Sequence, residues 1–158
     1  MNAANPLDAL PLAIALRESP WLAPAVRTLH ALGFVTLVAT VVAFDLRVLG
    51  VSRHLSARAL SRQLMPWTFA AVVVIVPTGS LLFLSKSNEL IASRLFVLKM
   101  GLVAAAAINA MIFRTGPWQG VKAWDTGVAA PPVARAQVAL SIALWIGVVA
   151  CGRVLAGS

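Results

Sequence analysis

Residues 29–49 read LHALGFVTLVATVVAFDLRVL, and the fold follows from this stretch. It is largely apolar, interrupted by His30 at one end and Asp45 at the other. A helix rising about 1.5 Å per residue over such a run covers the ~30 Å of a bilayer's hydrocarbon core. The run is continuously apolar rather than alternating, which selects a helix over a barrel strand. Three further runs of similar character occupy residues 65–84, 95–113 and 138–155. The expected fold is therefore all-α, a four-transmembrane-helix bundle.

Composition points the same way. Of 158 residues, 60% are hydrophobic and only 11% charged, whereas a soluble domain carries about a quarter charged residues. No long polar stretch is left for a soluble catalytic domain, and the chain divides into an N-terminal interfacial segment, residues 1–26, and a membrane bundle, residues 27–158. There is no Walker glycine loop, GxSxG, HExxH or pair of intramembrane carboxylates. The net charge of +8 is spread over loops rather than gathered on one face with interleaved aromatics, so nucleic acid is not an expected partner. The lipid bilayer is. Residues 1–20 lack a basic n-region, apolar core and cleavage site, and are expected to be retained.

Loop charge predicts orientation. Arg47, Arg53, Arg58 and Arg62 follow the first span, and Arg114, Lys122 and Arg135 follow the third. The opposite side holds Arg17, Arg27, Lys86, Arg94 and Arg153, diluted by Asp8, Glu18 and Glu89. The positive-inside rule then puts both termini outside the cytoplasm. Before the first span, Asn5-Pro6 resembles a helix start, Leu7, Leu10 and Ile14 share one helical face, and Ser19-Pro20 ends the segment. Trp21 follows at headgroup depth. This segment reads either as a lid over the outer mouth of the bundle or as an anchor. The Gly- and Pro-rich loop from Arg114 to Arg135, with Trp118 and Trp124, is expected on the cytoplasmic surface.

Helices in lipid associate by close packing of small residues. Ala139, Ala143, Gly147 and Cys151 form such a stripe on the fourth span, and Ala104 to Ala107 offer small surfaces on the third. Cys151, the only cysteine, fits this stripe better as a packing residue than as a thiol nucleophile. Pro77 should kink the second span, with Thr78 and Ser80 placed to bond freed carbonyls.

Ionisable groups inside a membrane cost several kcal/mol and mark candidate sites. Three stand out: His30, Asp45 and Lys99. His30 and Lys99 each lie about one turn inside the same, outer boundary. Thr78 and Ser80 are at a similar depth, so four polar side chains from three helices are expected to share one layer. Asp45 lies at the opposite end with Arg47, Arg62 and Asn109, either as a relay or as an interfacial ion pair that fixes the helix end. Lys99 could also snorkel outward, and His30 could be a hydrogen-bonded bundle histidine. An imidazole in a four-helix bundle also suits haem iron. The second histidine, His54, lies in the basic loop at the wrong end, leaving Lys99, Met100 or no protein atom as a sixth ligand. One histidine without a nearby cysteine or carboxylate makes a poor zinc or copper site.

The segments Leu29-His30-Ala31-Leu32-Gly33, Asp45-Leu46-Arg47-Val48-Leu49-Gly50, Leu64-Met65-Pro66-Trp67, Thr78-Gly79, Leu98-Lys99-Met100 and Asn109-Ala110 resemble an uncharacterised bacterial family of four-helix integral membrane proteins. The likeness runs from about Arg27 to Arg153. More remotely, the layout looks like HemJ-type protoporphyrinogen oxidases and the CopD-like membrane domain. That resemblance implies a bacterial inner membrane and haem b, with His30 as axial ligand to the iron and Lys99 as its polar partner. The sequence departs from that pattern late in the third span, where Asn109-Ala110-Met111 stands in place of a histidine.

The expected function is thus a haem b-binding membrane protein for electron transfer or haem-linked oxidation, with a membrane redox partner or larger complex. Two alternatives remain at this point. One is a cofactor-free accessory or assembly subunit; the other is a small proton or ion pathway through His30, Lys99 and Asp45. Self-association is left open.

Overall fold

Inside lipid an apolar run must satisfy its own backbone hydrogen bonds. In the structure, a computed structural model that describes residues 11–157, each of the four runs does so within one helix. The element order is α1 (Pro11–Glu18), α2 (Leu22–Leu49), α3 (Ala57–Ser85), α4 (Ser87–Ala92), α5 (Arg94–Thr115), a 3-10 segment (Pro117–Ala123) and α6 (Pro132–Gly157). There is no strand among the described residues. Helices α2, α3, α5 and α6 are long and apolar enough to cross a membrane, and the protein is accordingly an integral, multi-pass membrane protein.

Each span is longer than its apolar run. Helix α2 begins at Leu22 because Pro24 falls in the first turn, where a missing N–H costs nothing. Helix α3 starts at Ala57, with Ser56 as N-cap accepting from the Ala59 amide at 3.0 Å. Its added turns are amphipathic: Ala57 is buried while Arg58 and Arg62 are exposed. Two prolines, Pro66 and Pro77, lie inside α3. Near Pro77 the Thr78 hydroxyl bonds the Val74 carbonyl at 2.6 Å and the Ser80 hydroxyl the Val76 carbonyl at 2.8 Å. Helix α1 ends at Glu18 as Ser19-Pro20 suggested, and buries Leu16 beside α2 and α3. Asn5-Pro6, Leu7 and Leu10 lie outside the described residues.

Packing is uneven around the bundle. Helix α2 lies along α3, α5 along α6, and α2 against α6, but α3 and α5 are not packed along each other. The helices thus form a curved row, α3–α2–α6–α5, whose fourth side is open except at the terminal end, where Phe83 on α3 stacks on Phe96 of α5 at 5.7 Å between centroids. The small-residue stripe of α6 is only partly used. Ala139 and Ala143 are exposed, while Gly147 meets Leu102 and Cys151 is buried. The inward face is instead Ala134, Val138, Ser141 and Val148.

The two ends of the row differ. The terminal end gathers the start of α2, the end of α3, the start of α5 and the end of α6. The loop end carries the connections between α2 and α3 and between α5 and α6. Most of the close-packed core is at the loop end: Val48, Ala57, Phe113, Val121, Trp124, Ala134 and Val138, with Phe44 and Trp118 beside it. Trp124 is 2% exposed, so the loop expected merely on the surface folds its tryptophans under the bundle.

Candidate functional site

At the terminal end, His30 on α2 meets Thr78 on α3, with Nδ1 3.0 Å from the threonine Oγ1. The Thr78 hydroxyl has one proton, and its shortest acceptor is the Val74 carbonyl at 2.6 Å. Threonine therefore accepts from the imidazole, and Nδ1 carries the hydrogen. In its neutral form the ring then holds its lone pair on Nε2. The Ile75 carbonyl is also within electrostatic reach of the ring. Gly79 makes this seat: a Cβ there would stand 3.0 Å from His30 Cε1. A helix delivers both contacts because residues 78 and 79 are adjacent on the face that α3 turns to α2.

Ser80 is not in this layer. It is exposed and bonds only its own helix. Two residues along a helix is a turn of about 200°, so Thr78 and Ser80 face opposite ways. Lys99 does come near. Its Nζ lies 5.7 Å from the Phe34 ring centroid, one turn below His30 on α2, and 3.8 Å from where a Gly152 Cβ would be. The ammonium has no hydrogen bond or ion pair among the described residues. Met100, one residue on, is exposed.

The Asp45 layer is arranged otherwise than expected. Arg47, 3% exposed, does not pair with Asp45. Its Nε donates to the Leu55 carbonyl at 2.7 Å, and its Nη2 to the Arg53 and Asp125 carbonyls at 3.1 and 2.9 Å. The same half-turn geometry that separates Thr78 from Ser80 separates Asp45 from Arg47. Gly50, with φ of 117°, ends α2 in the left-handed region and turns the chain back beneath the arginine. Asp125 completes this clasp. Its carboxylate accepts from the Ser56 hydroxyl at 2.9 Å and the Arg58 amide at 2.8 Å, at the N-terminus of α3. The Arg58 amide, aided by Ser56 and by the Arg58 and Arg47 charges, holds its carboxyl below the usual range. Arg62 is exposed and has no hydrogen bond or ion pair among the described residues.

Asp45 itself is 4% exposed. A side-chain hydrogen bond from Ser141 on α6 reaches it, but Oδ2 is buried without a partner. Asn109 lies on the same level and donates to the Gln137 carbonyl at 3.0 Å, tying α5 to α6. The two sets of polar residues thus sit at opposite ends, and among the described residues no polar chain joins them beyond the Thr40–Thr68 hydroxyl contact of 2.9 Å. Ser141, Gln137 and Asp125 were missed in the sequence; each lies in apolar or turn-rich surroundings that do not show which element comes to meet it.

The described residues contain no cluster of three or more histidine, cysteine, aspartate or glutamate side chains that could hold a metal ion. Any iron at the terminal end would depend on His30 alone, with Lys99 as the charged neighbour. Compared with models of protein families, with curated proteins and with solved structures, the chain matches none.

Proposed function

We propose that this protein binds haem b at the terminal end of the bundle, with His30 as axial ligand, and serves electron transfer or haem-linked oxidation in the membrane. One observation carries the reading. With the Thr78 hydroxyl donating to the Val74 carbonyl, its oxygen is set to accept from His30 Nδ1, an arrangement that leaves Nε2 as the ring's lone-pair donor. A ligating imidazole has this arrangement, because donation from the other nitrogen fixes the tautomer and ring orientation and raises its basicity.

The remaining residues fit the same group. Lys99 offers a cationic side chain without an anionic partner among the described residues, suited to a carboxylate such as a haem propionate. Gly79 keeps the imidazole seated against α3. A haem held there would supply one-electron chemistry at its iron. The protein's own part is to hold Nε2 in place, balance charge through Lys99 and set the polarity of the surroundings.

The test is optical. Protein purified from haem-sufficient cells should show a Soret band with a b-type reduced spectrum. His30→Ala should abolish or greatly weaken it, and His54→Ala should leave it unchanged. Lys99→Met should shift the potential without removing the band. A colourless wild-type protein, or a spectrum that survives His30→Ala, contradicts the reading and leaves the accessory-subunit alternative in its place.

A further inference from the structure

At the loop end, on the open side of the bundle, lies a cavity of about 240 Å³ that the His30 site does not use. All four spanning helices line it. Its floor is buried and contains Asp45, Ser141 and Asn109, whereas Met65, Ala110 and Arg114 on its rim are exposed. The exposed residues belong to α3 and α5, the pair that do not pack along each other, so the mouth opens sideways between them. A shallower depression continues from it past Arg58, Arg62 and Trp118. A molecule dissolved in the bilayer could therefore enter without crossing water.

The polar groups that lack partners in this cavity share one character. Asp45 Oδ2 and Gln137 Oε1 are both buried without a hydrogen bond, and as carboxylate and amide oxygens both can accept one. Leaving them so costs of the order of 1–3 kcal/mol each. They call for a ligand with hydrogen-bond donors. A plain acyl chain has none. An anionic head would meet the Asp45 carboxyl, and a cationic one would pass Arg58, Arg62 and Arg114 around the mouth. Phe44 and Phe113, edge to face at 5.9 Å between centroids, form part of the wall. An aromatic ring fits against such a wall with offset or edge-on contacts.

We infer that this cavity binds a neutral, lipid-soluble hydroxyaromatic molecule, of the hydroquinone class, with its hydroxyl groups donating to Asp45 and Gln137. The inference concerns the end of the bundle opposite His30 and does not depend on haem being bound there.

Hexylresorcinol, an air-stable lipid-soluble diphenol, is a suitable probe of the full-length protein in nanodiscs, with binding measured by calorimetry. It should bind saturably, one molecule per chain. Its dimethyl ether, which keeps the ring and loses both donors, should bind at least about tenfold more weakly. Asp45→Asn, which replaces the orphaned oxygen with a donor, should weaken the diphenol by a similar factor. Ala110→Trp, a change on the exposed rim that leaves the core intact, should block the mouth and abolish binding. Lys99→Met, at the other end, should leave it unchanged. Equal uptake of diphenol and diether would mean partition into lipid and overturn the inference. So would undiminished affinity in Ala110→Trp or in folded Asp45→Asn, or tighter binding of the lipophilic cation tetraphenylphosphonium.

Discussion

The two ends of the bundle treat their polar residues in opposite ways. At the loop end Arg47 spends its guanidinium on three backbone carbonyls, and Asp125 takes up a hydroxyl and an amide. These bonds lie within the chain and tie two loops under an aromatic core. At the terminal end, among the described residues, His30 uses one ring nitrogen and Lys99 makes a cation–π contact without a hydrogen bond or ion pair. A buried polar group whose partners are carbonyls of its own chain is structural. One that keeps a bonding valence in reserve is available to a ligand. By that criterion His30 and Lys99 belong with the loop end's exceptions, Asp45, Gln137 and Trp124, and not with Arg47.

The difference predicts a ranking of mutational effects. Arg47→Met should be the most damaging change, because it removes three hydrogen bonds in the best-packed region and leaves the Leu55 carbonyl without its donor. We expect a loss of the order of 3 kcal/mol in detergent unfolding. A loss no greater than that of a surface substitution would show that the clasp does not hold the loop end together.

Gly79→Leu should follow, at about 2 kcal/mol, since its Cβ would stand 3.0 Å from an imidazole already pinned to Thr78. Nitrogen chemical shifts of His30 should show the Nδ1 hydrogen bond disturbed. Gly147→Leu, by contrast, meets only the flexible end of Leu102 and should cost less than Gly79→Leu. Equal losses in the two glycine variants would mean that the His30 seat is no more confined than ordinary helix packing.

A smaller effect concerns acid. The Asp125 carboxyl is held below its ordinary range, so its contribution to stability is present above about pH 4 and is lost as pH falls through the lowered value. Acid should loosen the loop end first, red-shifting the emission of Trp118 and Trp124. In Asp125→Asn that acid step should be missing, while the Arg47 bond to the residue 125 backbone carbonyl persists. An identical acid profile in both proteins would remove Asp125 from the clasp. Least of all, Ile146→Leu on the exposed face of α6 should leave stability unchanged within about 0.5 kcal/mol.

The spans were legible in the sequence because lipid demands long uninterrupted apolar runs, and residues 29–49 meet that demand without help from packing. Their ends were not, since α3 gains two amphipathic turns and α6 begins at Pro132, where helix formation depends on caps and loops rather than hydropathy. At the terminal end the sequence supplied His30, Thr78 and Lys99 at matching depth. It misplaced Ser80 and the Asp45–Arg47 pair because depth alone was weighed, without the rotation of two residues around a helix. Ser141 and Gln137 were invisible for another reason. A serine or glutamine in an apolar run shows its depth, but only the packing of α6 against α2 and α5 shows that Asp45 and Asn109 come to meet them.

The most direct measurement of His30 as an iron ligand is pulsed electron paramagnetic resonance of the oxidised protein labelled with nitrogen-15 histidine. His54→Gln would leave His30 as the sole labelled residue, the chain having two histidines. Strong coupling of one nitrogen-15 nucleus to the ferric iron is the expected result. An iron signal without that coupling, or no iron signal in protein from haem-sufficient cells, would contradict the assignment of His30 as axial ligand.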